Sequence, residues 1–371
     1  MKLLLLGDPH EPHIIKWATA LEPQGVEVIL FSFSRGDPGC YGRGSNITFY
    51  DCGFSNQLIT GREGNLSKLL YLRVLPKLRR VIKHHRPDVV HAHYASGYGL
   101  IGALSGFRPF ILSAWGSDIT HFPYVSPLHR RMMVFILRRA DAVLSTSHFM
   151  ARKIQKLAGV NSWITPFGVD TTIFYDQNHR PGHKNSDPLV IGTIKKMKPE
   201  YSIHILVWAF KRLREKLPHQ PLRLLLVGDG SERSRLEGLV SSLGLDDAVD
   251  FTGYLPYSRV AEYHNKLDIY VNVSRAESFG VSVLEASACG RPVVATGVGG
   301  LSEVVRQGVT GFLVDPDDSE QTARAVYRLI QDPALRSRMG QEGRAWVCRH
   351  YSLQSSLNTM LKVYNKFLSP K

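Results

Sequence analysis

Glu277 and Glu285, eight residues apart, stand in RAESFGVSVLEASACGRPVVATGVGGLSEVV, Arg275 to Val305, with Phe279-Gly280 between them and a helical run behind. If Glu277 lies in a loop after the strand-like stretch Ile269 to Val273, the amides near Phe279, Gly280 and Val281 open a helix and point at one spot. A helix amino end carries partial positive charge and unpaired N–H groups, so that spot favours a phosphate. Further along, Glu285 is placed to accept paired hydroxyls of a ribose, and Glu277 those of whatever group a diphosphate carries. One carboxylate accepts two hydrogen bonds, which suits a diol. Either glutamate alone is as well explained by a solvated or salt-bridged side chain; the ensemble is not.

Such a site needs strands to carry it. Short β-branched or leucine runs alternate with helix-length amphipathic stretches, the pattern of parallel sheets with crossover helices. The first half predicts strands at Lys2–Leu6, Val26–Phe33, Val89–His91, Phe110–Ala114, Ala142–Thr146 and Ser162–Thr165; the second at Val190–Thr193, Leu222–Val227, Val249–Thr252, Ile269–Val273, Pro292–Thr296 and Gly311–Val314. The polar stretch NHRPGHKNSDP, residues 178–188, has no apolar periodicity and reads as a linker. The expected organisation is therefore an α/β chain of two doubly wound parallel-sheet domains facing across a cleft. These are residues 1–177 and 189–350, with a C-terminal helix in 351–371 packing back toward the first domain. A cleft between two such sheets is the ordinary ligand site.

Composition limits the rest. The chain has 371 residues, 43% hydrophobic and 21% charged, which suits globular domains rather than disorder. No apolar run approaches the ~18 residues of a membrane span, and MKLLLLGDP is too short in its apolar part for a signal peptide; the expectation is a soluble cytoplasmic protein. Cys40, Cys52, Cys289 and Cys348 form no metal or disulfide pattern and read as packed or incidental thiols. The net charge of +14 leans forward: 21 of the 46 Lys/Arg and 12 of the 32 Asp/Glu lie in residues 1–180. Residues 68–86 hold seven basic residues and no acid among leucines and valines, an amphipathic helix interrupted at Pro76. It is either a solvated face or a surface for anionic lipid or a phosphorylated acceptor. HRRMMVFILRRA, residues 129–140, could extend the same face.

The motif ESFGVSVLE resembles the E-x7-E signature of retaining glycosyltransferases of family 4, which have the GT-B fold of two Rossmann-like domains. The likeness continues in LLLVGDGSERSRLEGL (224–239), VDFTGYL (249–255), SACGRPVVATGVGGLSEVV (287–305) and GVTGFLVDPDD (308–318). In the first half it runs through PDVVHAHYA (87–95), ADAVLSTS (140–147) and TPFGVDTTIF (165–174). What it implies falls on particular residues. Glu285 matches the ribose-binding glutamate and Glu277 the one contacting the donor sugar, with amides of Phe279, Gly280 and Val281 on the diphosphate; Thr252, Gly253 and Tyr254 border the base. Of the family's two diphosphate cations, Lys195 supplies the first, but the second position holds Glu200, leaving Lys198 or Lys196 to substitute.

The acceptor side departs as well. A histidine of the VHGSD-like turn is replaced by Trp115 in AWGSD, which exchanges an imidazole for one N–H donor and an apolar face. GDPHEPHIIKW, residues 7–17, stands where a Gly-Gly loop is usual, and a subgroup pairs this H-x-x-x-W start, His13 and Trp17, with the WGSD turn. His13 is either an acceptor-site residue or a helix-start packing residue. His91 and His93 alternate sides, so one is expected to be buried and the other, His93, to face the acceptor; Asp118 is a catalytic candidate.

The implied activity is transfer of a hexose-type sugar from a nucleotide diphosphate sugar, UDP by family frequency, to a glycan or polyprenyl-diphosphate-linked acceptor, with retention. Cations and helix amides on the leaving phosphate make a metal and a cofactor unnecessary. The DxD string in Asp315–Asp318 opens a helix and reads as a cap. Three other readings compete. A catalytically silent nucleotide-sugar or partner binder is suggested by Trp115 and Glu200; a dehydrogenase lacks G-x-G-x-x-G after its first strand. A nucleic-acid binder lacks an aromatic platform beside the basic residues, so no nucleic acid is expected. Attachment to the inner membrane face through 68–86 and 129–140 remains an expectation.

Overall fold

The computed structural model describes residues 1–42, 45–54, 71–177 and 187–368. They form two compact units, Met1–Phe167 with Ser356–Lys371, and Gly168–Ser355. Each is a Rossmann-like α/β unit around one parallel sheet.

The first sheet contains β1 (Lys2–Leu6), β2 (Glu27–Ser32), β3 (Thr48–Asp51), β4 (Val89–His93), β5 (Phe110–Ala114), β6 (Ala142–Ser145) and β7 (Ser162–Ile164). Their order is β3-β2-β1-β4-β5-β6-β7, all parallel. The central strand explains the leucine run: Leu4 sits between Ile29 and Val90, and Leu3 to Leu6 have no exposed surface. Successive side chains of a strand point to opposite faces. Leu4 and Leu6 meet helices Leu75–His85, Tyr98–Ser105, Pro127–Arg139 and His148–Ala158. Leu3 and Leu5 meet helix Pro12–Leu21 and the C-terminal helix Leu353–Leu368, through Ile14, Trp17 and Leu21 on one and Leu357, Met360, Val363 and Tyr364 on the other. Each such fully buried leucine contributes about 2 kcal/mol.

Strand β3 has no counterpart among the expected strands: it is four residues long, half-buried, and paired on one side only, so it lacks the apolar run of an interior strand. Pro76 starts a helix rather than interrupting one. It occupies the first turn of Leu75–His85, where a missing N–H costs nothing.

The second sheet contains β8 (Leu189–Ile194), β9 (Leu222–Val227), β10 (Val249–Gly253), β11 (Ile269–Asn272), β12 (Val293–Thr296) and β13 (Gly311–Val314), in the order β10-β9-β8-β11-β12-β13. Helices Ile203–Lys216, Arg233–Ser242 and Ser319–Gln331 share a core with Ile191, Leu224, Leu226, Val271 and Val294. In both sheets the chain reverses winding beside the first strand, between β1 and β4 and between β8 and β11. The carboxyl ends of strands at such a switch are where open α/β sheets bind ligands.

Residues 168–177 group with the second unit. Val169 N donates to Tyr351 O (2.8 Å), Leu353 N donates to Val169 O (2.8 Å), Phe174 is buried, and Asp176 pairs with Arg291. The C-terminal helix begins in the second unit and joins the first from Ser356. Of the linker 178–188, residues 178–186 lie outside the described residues, as do Lys68 to Leu70 of the basic stretch. Cys52, Cys289 and Cys348 are unpaired thiols, Cys289 buried. No helix among the described residues is long and apolar enough to cross a membrane.

Candidate functional site

The second unit gathers its charged groups at the carboxyl ends of β8 and β11, adjacent strands. Lys195 follows β8, and its ammonium pairs with the Glu277 carboxylate from the loop after β11. Both side chains are largely buried, 14% and 13% exposed, so neither charge is solvated by bulk water. Burial by itself would lower the Lys195 pKa; the Glu277 carboxylate beside it outweighs that and pushes it above the usual lysine range. The ammonium also lies 4.5 Å from the centre of the Tyr201 ring.

Glycines hold these loops by close approach. A Cβ at Gly228, whose φ is +131°, would overlap the Lys195 carbonyl oxygen, and one at Gly230 that of Met197. The segment after β9 thus lies against the segment after β8, fixed by Met197 N donating to Asp229 O (2.8 Å) and Glu232 N to Met197 O (3.0 Å). On the other side, a Cβ at Gly300 would come within 2.5 Å of Phe279 Cα, and Gly300 N donates to Glu277 O (3.0 Å). Gly280, at φ +105°, caps helix Val281–Ala288, and a Cβ there would meet Leu301 at 2.7 Å. The expected helix start at Phe279-Gly280-Val281 is therefore present, and the loop of Glu277 leads into it.

Glu285 is buried on that helix. Its Oε1 accepts from the Tyr257 hydroxyl (3.1 Å), and its Oε2 lies 3.7 Å from Nε2 of buried His264. Burial, reinforced by Glu285, holds the Tyr257 phenol protonated far above the ordinary tyrosine range. Neither ring nitrogen of His264 has a hydrogen-bond partner. Thr252 and Gly253 end β10, Gly228 N donates to Gly253 O (3.1 Å), and Tyr254 is 78% exposed. Lys198 stands apart from the Lys195–Glu277 pair, half exposed with its ammonium 4.0 Å from Glu200; Lys196 is exposed. In the DPDD run, Asp318 accepts from Gln321 N (2.7 Å) as a helix cap and Asp317 pairs with Arg275 (2.8 Å). No cluster with metal-ligand composition occurs among the described residues.

The first unit collects rings instead. His13 stacks on Phe167 (centroids 3.8 Å apart, 11° between planes) and meets the edge of Trp115 at 5.7 Å; His93 lies 5.2 Å from Trp115. Burial keeps all three histidines of this region neutral: His13 and His91 fall well below the usual range, His93 to about 3. Nδ1 of His13 and both nitrogens of His93 have no hydrogen-bond partner. The expectation that His91 and His93 alternate sides is corrected: β4 runs to His93, residues two apart on a strand share a face, and the two rings lie 4.1 Å apart, both buried. His91 is held between Tyr364 of the C-terminal helix (2.7 Å) and Ser113 (2.8 Å). Asp118 is buried against backbone, accepting from Ala95 N (2.8 Å), Gly116 N (2.7 Å) and Trp115 N (3.2 Å). It ties the loop after β4 to the loop after β5 and so sets the position of Trp115.

Comparison with known proteins bears on what these arrangements do. Residues 174–346 match the family model "Glycosyl transferases group 1", and residues 2–147 match "Glycosyl transferase 4-like". A D-inositol 3-phosphate glycosyltransferase of Acidothermus cellulolyticus is 30% identical over 319 residues, 76% of this chain and 68% of that one. The chain belongs to the group 1 glycosyltransferases. This glycosyltransferase is also 28% identical, over 79% of its length and 78% of the other's, to the N-acetyl-alpha-D-glucosaminyl L-malate synthase of Bacillus anthracis. Its fold is that of the GT-B structures: HepE of Anabaena, solved in complex with UDP and glucose, superposes with a TM-score of 0.79 over 98% of this chain and 99% of HepE at 22% identity.

Phe167, Tyr201, Tyr257, His264 and the clasping glycines Gly228, Gly230 and Gly300 were not expected in these places. The glycines left a signal, a GDG and a GVGG directly after strands, which marks close backbone approach. Tyr257 and His264 left none.

Proposed function

We propose that this glycosyltransferase moves a hexose-type sugar from a nucleotide diphosphate sugar, UDP before GDP or ADP, to a hydroxyl of a glycan or polyprenyl-diphosphate-linked acceptor, retaining anomeric configuration and without a metal. The observation that carries the reading is the buried Lys195–Glu277 pair beside the Gly280 helix start, with Glu285 held by Tyr257 on the same helix. Breaking a sugar–diphosphate bond develops positive charge on the sugar and negative charge on the leaving phosphate. Lys195, kept protonated by its carboxylate neighbour, and the amides of Phe279, Gly280 and Val281 take the diphosphate. Glu277 takes sugar hydroxyls, Glu285 the ribose diol, and Thr252, Gly253 and Tyr254 border the base. Lys198 assists the leaving phosphate in place of the cation that Glu200 replaces.

The acceptor binds to the first unit, where the unpartnered nitrogens of His13 and His93 offer hydrogen bonds to hydroxyls and Trp115 offers a ring face. The acceptor hydroxyl attacks on the face the nucleotide leaves. Asp118 acts by positioning Trp115. The enzyme works at the cytoplasmic side of a membrane that presents the lipid-linked acceptor.

Thermal stabilisation by UDP, GDP and ADP, with Glu285→Gln beside the wild type, tests the donor assignment. A nucleotide at ~100 times its Kd adds about 2.7 kcal/mol. UDP is expected to stabilise the wild type and to stabilise Glu285→Gln less. No response to any nucleotide sinks the donor reading and favours a silent binder.

A further inference from the structure

Helix Pro127–Arg139 buries Met133, Ile136 and Leu137 against the first sheet and turns a second stripe outward. Leu128, Arg131, Phe135 and Arg138 follow one another at steps of three, four and three, along one side of a helix. All four are exposed, Leu128 at 63% and Phe135 at 45%. Tyr124 and Val125, in the turn just before, are exposed too. Single exposed apolar residues are ordinary; a row of them interleaved with arginines is not. No Asp or Glu occurs between Ile119 and Ala140, and Arg130 and Arg131 make no ion pair among the described residues.

The helix that looked more basic in the sequence exposes no large apolar side chain: Leu78 and Val81 are buried and Leu75 and Ile82 half-buried, though Arg80 and Lys83 are exposed. On Leu75–His85, Lys77 bonds the Asp51 carbonyl, and Arg79 bonds the carbonyls of Leu104 (3.0 Å) and Ser105 (3.4 Å). These cations are tied to the ends of neighbouring elements. Among the described residues, the one comparable tie on Pro127–Arg139 is Arg138 Nε to Ala158 O (3.0 Å).

We propose that the stripe from Tyr124 to Arg139 docks on an anionic phospholipid bilayer. Tyr124, Val125, Leu128 and Phe135 enter the boundary between headgroups and acyl chains, and Arg131 meets lipid phosphate, a pairing of apolar and cationic groups that suits an interfacial helix. The proposal rests on the reading of a lipid-linked acceptor and names the surface that brings the first unit to it.

The test is flotation of the full-length protein with phosphatidylcholine vesicles, with and without phosphatidylglycerol, at low and high salt. Binding is expected only with phosphatidylglycerol. Arg131→Gln weakens it about fivefold, and Leu128→Ser with Phe135→Ser weakens it further. Because these side chains are exposed, thermal midpoints and stabilisation by UDP stay at wild-type values in both variants. Absence of vesicle binding, equal binding to neutral vesicles, or loss through Arg80→Gln with Lys83→Gln but not through the stripe variants overturns the proposal. Stabilisation by nucleotide is read on the same samples without vesicles, so failure of the donor reading with vesicle binding intact is distinguishable from failure of the surface.

Discussion

The two units share a winding order and place their candidate sites at equivalent strand ends, yet they build them from opposite materials. In the second unit a buried ammonium and two buried carboxylates are fixed by glycine-permitted backbone contacts and by Tyr257. In the first, neutral imidazoles, an indole and a phenyl ring are fixed by packing, by His91 bonded to Tyr364, and by Asp118 on backbone amides. Charges held in low dielectric act strongly on a charged ligand and tolerate little displacement. Rings with unpartnered nitrogens suit neutral polyols, and they can be exchanged without leaving a charge unpaired. The unit proposed to grip a diphosphate carries the rigid electrostatics, and the unit proposed to meet the acceptor carries the exchangeable surface.

The largest effect is expected at Lys195. Lys195→Ala leaves the Glu277 carboxylate buried without its partner, which costs about 3–5 kcal/mol of stability, and removes the cation proposed for the leaving phosphate, with an expected loss of about 10²–10³ in turnover. Lys195→Met combined with Glu277→Gln restores the thermal midpoint by removing both charges, while turnover stays lost. Recovery of turnover in the double variant would show that the pair serves stability alone.

The neutral rings give the next effect, and its direction in pH is fixed. The His93 pKa of about 3 lies below the ~6.5 of an unfolded chain, so the unfolded chain takes up the proton first. The stabilisation is complete above pH ~6.5 and is lost as pH falls from there toward 3. His13 and His91 act in the same sense. Each unit of pH below 6.5 costs about 1.4 kcal/mol per such histidine. Thermal midpoints measured from pH 7 to 5 are expected to fall, and to fall less steeply in His93→Leu, which loses no hydrogen bond. An unchanged slope would mean that His93 is hydrated in solution.

A finer cut separates Glu285 from its support. Tyr257→Phe removes one hydrogen bond to a buried carboxylate, worth about 1.5 kcal/mol, so nucleotide affinity should weaken about tenfold with little change in turnover at saturating donor. A titration read by intrinsic fluorescence or calorimetry decides it. Equal affinity would mean that a ribose hydroxyl displaces Tyr257 on binding.

How much of this was legible follows from sequence distance. Twelve of the thirteen strands were visible as short apolar runs between turns, the edge strands β7, β10 and β13 among them; β3, Thr48–Asp51, was not, since it carries no aliphatic residue. The helix start at Gly280 and the placement of Glu285 on its helix were visible, since both are local. The contact between Lys195 and Glu277 spans 82 residues and exists because β8 and β11 are neighbours in the sheet. The shared face of His91 and His93 follows from their spacing of two once β4 extends to His93; the cover was not legible, since Tyr364, 273 residues from His91, reaches it from the C-terminal helix. Tyr257 reaches Glu285 from a loop after another strand, and no spacing within either segment foretells it.

The smallest expected effect is at Trp115. Trp115 touches His13, His93 and Phe167 through ring edges and faces, and only its backbone N–H is held by Asp118. Trp115→His keeps the backbone tie and replaces an apolar face by a second imidazole. Aromatic contacts of this kind are worth about 0.5–1.5 kcal/mol each. The acceptor KM should rise about three- to tenfold, the thermal midpoint should fall slightly, and stabilisation by UDP should be unchanged, because no charge of the second unit's site is altered. If Trp115→His instead changes nucleotide-sugar affinity while leaving the acceptor KM alone, the indole contacts the donor sugar. The division of labour between rings and charges would then have to be redrawn with Trp115 on the donor's side.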